Sequence, residues 1–150
     1  MLKYCLKKWD NHKEELEKAL RRDIKLNNCE YSYLVKLVVQ YILNGDGEDW
    51  DSDHITVVDN GHYQGTQLFL IPEDCYQPSE YEYLMTYVGY GSCSGCDTLL
   101  AIQNYGEKQL SEGQVKNFMA LCKDIVTNII KPYNGGWRFK EDFEEVSNDA

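Results

Sequence analysis

The chain has 150 residues, of which 43% are hydrophobic and 13% aromatic, a composition that predicts a single globular domain and excludes an intrinsically disordered protein. Its formal net charge is −10, so we expect a basic partner and no direct binding to nucleic acid. No apolar run approaches the roughly 20 residues that cross a bilayer, and the N-terminus lacks the apolar stretch of a signal peptide, so a soluble, cytoplasmic protein without membrane contact is expected.

Two amphipathic segments come first along the chain. Residues 9–26 carry apolar side chains at near-helical spacing, and Asp10 or Asn11 is the candidate N-cap. Residues 32–43 show the same spacing and are followed by Asn44–Gly45, a pair that favours a helix end over a strand. The sequence therefore predicts a hairpin of two helices.

The middle of the chain carries strand patterns. Residues 54–59 and 66–72 flank Asn60–Gly61, the strongest turn signal in the sequence, and predict a β-hairpin. Residues 81–90 alternate in polarity and predict a third strand. One face of this strand is predicted to carry Tyr81, Tyr83, Met85 and Tyr87.

Helical patterns return near the end of the chain. Residues 97–104 predict a short helix, and residues 111–131 predict a long one. Ser111 and Gln114 have the spacing of a capping box at the start of the long helix.

The order ααβββαα predicts an α+β domain over residues 1–136, in which a small antiparallel sheet of about three strands has helices before and after it. Residues 137–150 are predicted to form an acidic, partly loose C-terminal tail.

The negative charge is concentrated in the centre of the chain. Between Lys36 and Lys108 there are twelve acidic residues and no Lys or Arg. Carboxylates beside exposed aromatic side chains are typical of surfaces that bind protein partners. We therefore predict a partner-binding surface at Asp46, Glu48, Asp49, Trp50, Asp51, Asp53, Tyr63 and Tyr76.

Two of the six cysteines, Cys93 and Cys96, lie three residues apart in a turn rich in Gly and Ser. A thiol that precedes a helix has a lowered pKa, which suits redox chemistry. The same pair could supply one edge of a tetrahedral zinc site, with His62 as a further ligand. The third interpretation is a structural turn with two small buried thiols. The sequence leaves all three open, and apart from zinc no cofactor is expected.

The segments GHYQGTQLFLIP and YVGYGSCSGCDTLL, within residues 54–103, resemble a motif in small accessory proteins of tailed bacteriophages. The resemblance implies a phage product that acts in the cytoplasm of a host bacterium, where thiols stay reduced, and it transfers no catalytic role to Cys93 or Cys96. Small acidic phage proteins are often inhibitors of host machinery.

These observations lead to one expected function and two alternatives. The expected function is a non-enzymatic anti-defence, anti-CRISPR-like protein that occupies the basic surface of a host nuclease or RNA-guided effector. The first alternative is a zinc-binding or thiol-redox protein that uses Cys93 and Cys96. The second is a protein that sequesters a small ligand under the tyrosines. No nucleophile–base arrangement or phosphate-binding loop predicts an enzyme.

Overall fold

The computed structural model describes residues 1–22, 29–59, 65–79, 82–91, 99, 102, 110–133 and 136–137. Its first helices are α1 (Leu2–Arg22) and α2 (Tyr31–Val38), and α2 continues as a π-helical turn over Val39–Leu43. The strands that follow are β1 (Thr56–Asp59), β2 (Gly65–Pro72) and β3 (Tyr83–Tyr90). After them come α3 (Glu112–Thr127), β4 (Pro132–Tyr133) and β5 (Gly136–Trp137).

The predicted α+β class is confirmed, because helices precede and follow a three-stranded antiparallel sheet of order β1-β2-β3. The short helix predicted at 97–104 falls largely outside the described residues; the two of its residues that are described, Leu99 and Ile102, are helical and buried. Of the predicted tail 137–150, only Trp137 is described, and its backbone pairs with β4. None of the helices in the described ranges combines the length and apolar character needed to cross a bilayer.

The first helix starts earlier than the sequence pattern predicted. It begins at Leu2, so the prediction of Asp10 or Asn11 as its cap is wrong. The physical reason is that Cys5 and Trp9 are buried in line with Leu16, and this apolar stripe extends the helix towards the N-terminus.

The last helix has the predicted start and a different end. The capping box is present, with the Ser111 hydroxyl accepting from the Gln114 N–H and the Gln114 side chain accepting from the Ser111 N–H. The helix ends at Thr127 rather than at residue 131. Beyond it, Ile130 exchanges two backbone hydrogen bonds of 2.8 Å with Met85, so the chain leaves the helix to pair with β3.

The sheet buries one face against the helices. Phe69 lies at the centre of β2, opposite Val57 on β1 and Thr86 on β3, and both Phe69 and Thr86 are fully buried. The Thr86 hydroxyl donates a 2.7 Å hydrogen bond to the Ile125 carbonyl of α3. The alternation predicted for the third strand is confirmed among the described residues, since Tyr83, Met85 and Tyr87 share the less buried face; Tyr81 lies outside them.

Candidate functional site

A buried lysine, Lys8, contacts the loop over residues 44–53, which follows the π-helical turn and which we call the acidic loop. Lys8 of α1 is 4% exposed, and its ammonium lies 2.9 Å from an Asp46 oxygen and 3.4 Å from a Glu48 oxygen. It also donates to the Leu43 carbonyl at 3.3 Å and lies 5.5 Å from the centre of the Tyr4 ring. A buried ammonium needs such partners because desolvation penalises an unpaired charge. Two of the predicted contact residues therefore face a cation of their own chain.

His12 strengthens the same connection. Its Nε2 atom lies 2.7 Å from Asp46 Oδ1, and hydrogen bonds from Lys8 and then His12 hold the pKa of the Asp46 carboxyl below its ordinary value. A Cβ atom at Gly45 would come within 2.4 Å of the His12 ring. Glycine at this position is what lets the loop approach α1 closely.

Glu48 and Trp50 are tied into the fold by further hydrogen bonds. The Glu48 carboxylate accepts from the Tyr4 hydroxyl and from the Trp50 indole N–H, the latter at 3.2 Å. The Asn44 side chain accepts from the Trp50 backbone N–H at 2.8 Å and donates to its carbonyl at 2.9 Å. Trp50, half-buried, also forms a β-bridge with Glu73. Trp50 thus anchors the loop to the end of β2 and exposes only part of its ring.

The rest of the predicted loop surface is mostly paired as well. Asp51 Oδ2 lies 2.6 Å from His54 Nδ1, and Asp53 Oδ1 lies 3.1 Å from the Lys36 ammonium of α2. Of the five predicted loop carboxylates, Asp49 is the one with no Lys, Arg or His nitrogen within 4 Å in the described part of the chain. Four of the five loop carboxylates therefore already have a nitrogen partner within their own chain.

A second set of carboxylates, close to Asp49, has no Lys, Arg or His nitrogen within 4 Å among the described residues. Asp49 is next to Glu73 and Asp74, which follow β2, because the Asp74 N–H donates to the Asp49 carbonyl at 2.9 Å. Glu82 is joined to them because the Glu73 N–H donates to its carbonyl at 2.7 Å. Asp49, Glu73 and Asp74 line a cleft of about 440 Å³, which we call the acidic cleft. Its lining residues are Tyr4, Glu48, Asp49, Trp50, Glu73, Asp74 and Cys75.

Like charges are crowded at the acidic cleft. Burial and the neighbouring Glu82 carboxylate raise the pKa of Glu73, against an opposing effect of Lys131. The pKa of Glu82 is lowered to about 2, first by the Ser79 N–H and then by the Cys75 thiol. Among the described residues, no Lys, Arg or His nitrogen lies within 4 Å of Asp49, Glu73, Asp74 or Glu82.

Tyr76 stands beside this cleft and is 90% exposed. It follows Cys75 in a turn in which Gln77 has a φ of 49°, in the left-handed region that side chains seldom adopt. An exposed tyrosine beside carboxylates is a common anchor for a protein partner. Of the predicted aromatic contact residues, Tyr76 is exposed next to Cys75 of the acidic cleft, and its role as an anchor stays a prediction.

Cys75 is predicted to be a poorly reactive thiol despite its exposure. Its Sγ donates to Glu82 Oε2 at 3.2 Å, and this contact raises the pKa of Cys75 to about 11. Glu82→Gln removes the charge that stabilises the protonated thiol. We expect alkylation of Cys75 by iodoacetamide at about pH 8 to become about tenfold faster, since the gain in thiolate exceeds the loss of intrinsic nucleophilicity.

The rate is measured by mass spectrometry of the peptide that contains Cys75, with Glu112→Gln as the matched control. Glu112 is paired with Arg21 at 2.7 Å, far from the cleft in sequence, so that variant should alkylate at the wild-type rate. An unchanged alkylation rate in Glu82→Gln would show that Glu82 does not keep the Cys75 thiol protonated.

Several predicted site residues lie outside the described ranges, namely His62, Tyr63, Cys93 and Cys96. The four described cysteines are Cys5, Cys29, Cys75 and Cys122, and of these Cys75 and Cys122 are free thiols. No three His, Cys, Asp or Glu side chains within the described ranges are arranged to hold a metal ion. The zinc and redox interpretations of the Cys93–Cys96 pair stay predictions.

A second cleft, of about 570 Å³, lies between α1 and α3. Trp9 and Met119 contribute apolar walls, and Lys13, Lys116 and Lys123 contribute cations. The tyrosines under which a ligand pocket was expected do not line this cleft. Sequestration of a small ligand stays a prediction.

Sequence reasoning missed Glu73, Asp74 and Glu82 as members of the site. A signal was available, because all three belong to the central block without Lys or Arg. Their juxtaposition with Asp49 depends on the pairing of the acidic loop with the end of β2, which no local pattern shows. In comparisons with protein-family models, curated proteins and solved structures, none matches this chain.

Proposed function

We propose that this chain is a non-enzymatic binding protein whose acidic cleft, with Tyr76 beside it, contacts a basic surface of a partner protein. The observation that carries the proposal is the group of Asp49, Glu73, Asp74 and Glu82, four carboxylates with no cationic nitrogen within 4 Å in the described part of the chain. Carboxylates arranged in this way attract cationic surfaces.

The contrast with the neighbouring loop supports this location. Lys8, Lys36 and two histidines already occupy most of the loop carboxylates, so a partner would have to displace those contacts. Among the described residues, no Lys, Arg or His contact has to be displaced from Asp49, Glu73 or Asp74, and a Lys or Arg of the partner would relieve the crowding between Glu73 and Glu82. The contact surface is thus centred on Asp49 and Asp74 rather than on Asp46 and Asp53.

The class of partner follows from the charge and from the phage resemblance. Proteins that handle nucleic acid present channels rich in Lys and Arg, and a compact anionic surface competes for them. The resemblance to phage accessory proteins supports a host nuclease or RNA-guided effector in the bacterial cytoplasm as the target. In this role the protein binds no nucleic acid itself and acts as an anti-defence inhibitor.

A comparison of charge-neutralised variants tests the proposal. Tagged wild-type protein and the double variant Asp49→Asn, Asp74→Asn are used to capture proteins from bacterial lysate at low and high salt, with identification by mass spectrometry. The matched control is Asp10→Asn, Asp124→Asn, which removes two exposed carboxylates elsewhere. We expect a basic nucleic-acid-binding protein with wild type and control, and binding weaker by at least about tenfold with the cleft variant.

The salt dependence gives a second criterion. Binding through this cleft should weaken as salt is raised, and the cleft variant should show a shallower dependence than wild type because fewer charges take part. Equal capture by wild type and the cleft variant, or capture of no basic protein at either salt, would contradict the proposal.

A further inference from the structure

β1 lies at the edge of the sheet that the structure describes. It pairs with β2 on one side, and no described residue pairs with it on the other. All four of its residues are exposed, and the adjacent Val57 and Val58 are 43% and 44% exposed. Natural edge strands are protected by charged residues, proline, a bulge or short length; β1 is short and ends in Asp59, but it contains neither lysine nor proline. Its exposed valines are apolar side chains that a further strand would cover.

The outer face of the sheet continues this apolar surface. Val58 is opposite Leu68 on β2, and Leu68 is opposite Tyr87 on β3, so the three form one cross-strand row. Tyr87 is 40% exposed and Leu68 is half-buried. A strand added beside β1 would extend this row by one further side chain.

The open edge is continuous with the acidic cleft. Trp50 forms its bridge with Glu73, and the Asp51 N–H donates to the Pro72 carbonyl at 2.8 Å, both at the end of β2. Further along, Asp59 is opposite Gln67 near the start of β2. Residues 50–59 therefore follow a single edge of β2, with the acidic cleft at one end and β1 at the other.

The charge of this edge indicates which strand would bind there. The entire three-stranded sheet lies in the block between Lys36 and Lys108 that has no Lys or Arg. Asp53, which precedes β1, is paired with Lys36. Asp59, which ends β1, accepts hydrogen bonds from Gln67 and Tyr90, so the negative charge of the region as a whole, rather than either residue, favours a basic segment. A second copy of a chain with net charge −10 would bring two anionic edges together, whereas a basic extended segment complements them.

We propose that β1 accepts an extended segment, rich in Lys or Arg, of the partner protein as a fourth strand of the sheet. This inference rests on the proposed function in one respect, that the partner is basic. Backbone hydrogen bonds to β1 supply affinity, alternate apolar side chains of the segment extend the row of Val58, Leu68 and Tyr87, and the basic side chains are attracted by the net negative charge of the region without Lys or Arg.

Synthetic peptides test the strand addition directly. The probe is a nine-residue peptide of alternating Arg and Val, compared with the same peptide N-methylated at every second residue and with a Glu–Val peptide. We expect the Arg–Val peptide to slow hydrogen exchange of β1 backbone amides by at least about tenfold. N-methylation should weaken its binding by at least about tenfold, and the Glu–Val peptide should not bind.

Lysine variants on the edge provide the matched comparison. Val57→Lys and Val58→Lys place a cation on either face of β1, and each should weaken peptide binding by at least about tenfold. Asn117→Lys, at an exposed position on α3, adds the same charge away from the sheet and should leave binding unchanged. Thermal unfolding of each variant confirms that the sheet is intact.

The outcomes separate this inference from the proposed function. If the peptide binds without protecting β1, and binding is lost in Asp49→Asn, Asp74→Asn but kept in the edge variants, strand addition is refuted and the acidic cleft stands. If the peptide protects β1 while the cleft variant binds it normally, strand addition stands and the cleft is refuted as the contact. Protection of β1 without peptide, in a concentration-dependent dimer measured by ultracentrifugation, would refute the basic segment in favour of a second copy.

Discussion

Lys8→Met is expected to lower the free energy of unfolding by about 2 kcal/mol. Methionine keeps the unbranched apolar stem but removes the charge that faces Asp46, Glu48 and the Leu43 carbonyl. Breaking a fully buried ion pair costs roughly 3–5 kcal/mol. We expect a smaller loss, about 2 kcal/mol, because water reaches both carboxylates and solvates them once Lys8 is removed. The Asp46 and Glu48 side chains are 50% and 39% exposed.

Lys18→Met on the same helix is the matched control. Its side chain is 71% exposed and its ammonium lies 3.9 Å from Glu15, so we expect a change in the free energy of unfolding within about 0.5 kcal/mol. Urea denaturation followed by circular dichroism measures both variants. Equal midpoints for the two variants would contradict a role for Lys8 in holding the loop.

The pH dependence separates lost charge pairing from lost packing. Hydrogen bonding from Lys8 lowers the pKa of Asp46; for Glu48, burial acts to raise the pKa, but hydrogen bonds from Tyr4 and Trp50 and the Lys8 charge lower it overall. A lowered folded-state pKa gives stability that is present above the ordinary values of 3.8 and 4.5 and is lost as the pH falls below them. The difference between wild type and Lys8→Met should therefore be largest near neutral pH and shrink below about pH 4. A difference that does not change with pH would assign the effect to packing.

The architecture was predictable because it depends on local patterns. Alternating side chains in β3 mark the buried and open faces of the strand, and Ser111 with Gln114 marks the start of α3. What the pattern missed depends on tertiary contacts. Ile130 has the apolar character of a helix residue, but its pairing with Met85 ends the helix sooner.

The candidate site was only partly predictable, because charge pairing over long sequence separations decides which carboxylates are available. Asp46 and Asp49 look alike in the sequence of the loop. Lys8 and His12, on α1, reach Asp46 and leave Asp49 without a cation within 4 Å in the described ranges. Similarly, Trp50 and Tyr76 were equivalent candidates, and only the fold shows that Trp50 is bonded to Asn44 and Glu48 while Tyr76 is exposed.

Phe69→Ala is expected to lower the free energy of unfolding by about 3–5 kcal/mol, the largest effect of any substitution considered. Phe69 is fully buried at the centre of β2, where it lies between Val57 and Thr86 on the face covered by the helices. Removing its ring leaves a cavity that strands on both sides would have to fill. Such a loss is a large part of the roughly 5–15 kcal/mol that stabilises a domain, so Phe69→Leu is measured beside it as a milder change.

Leu68→Ala tests the face assignment on which the strand-addition proposal depends. Leu68 is the neighbour of Phe69 in sequence but lies on the open face, in the row with Val58 and Tyr87, and its truncation should cost about 1 kcal/mol. A shift of β2 by one residue would exchange the two faces and reverse the order of these effects. Denaturation midpoints in which Leu68→Ala is the more damaging substitution would place Leu68 on the face covered by the helices, and the open-face row of Val58, Leu68 and Tyr87 would be refuted.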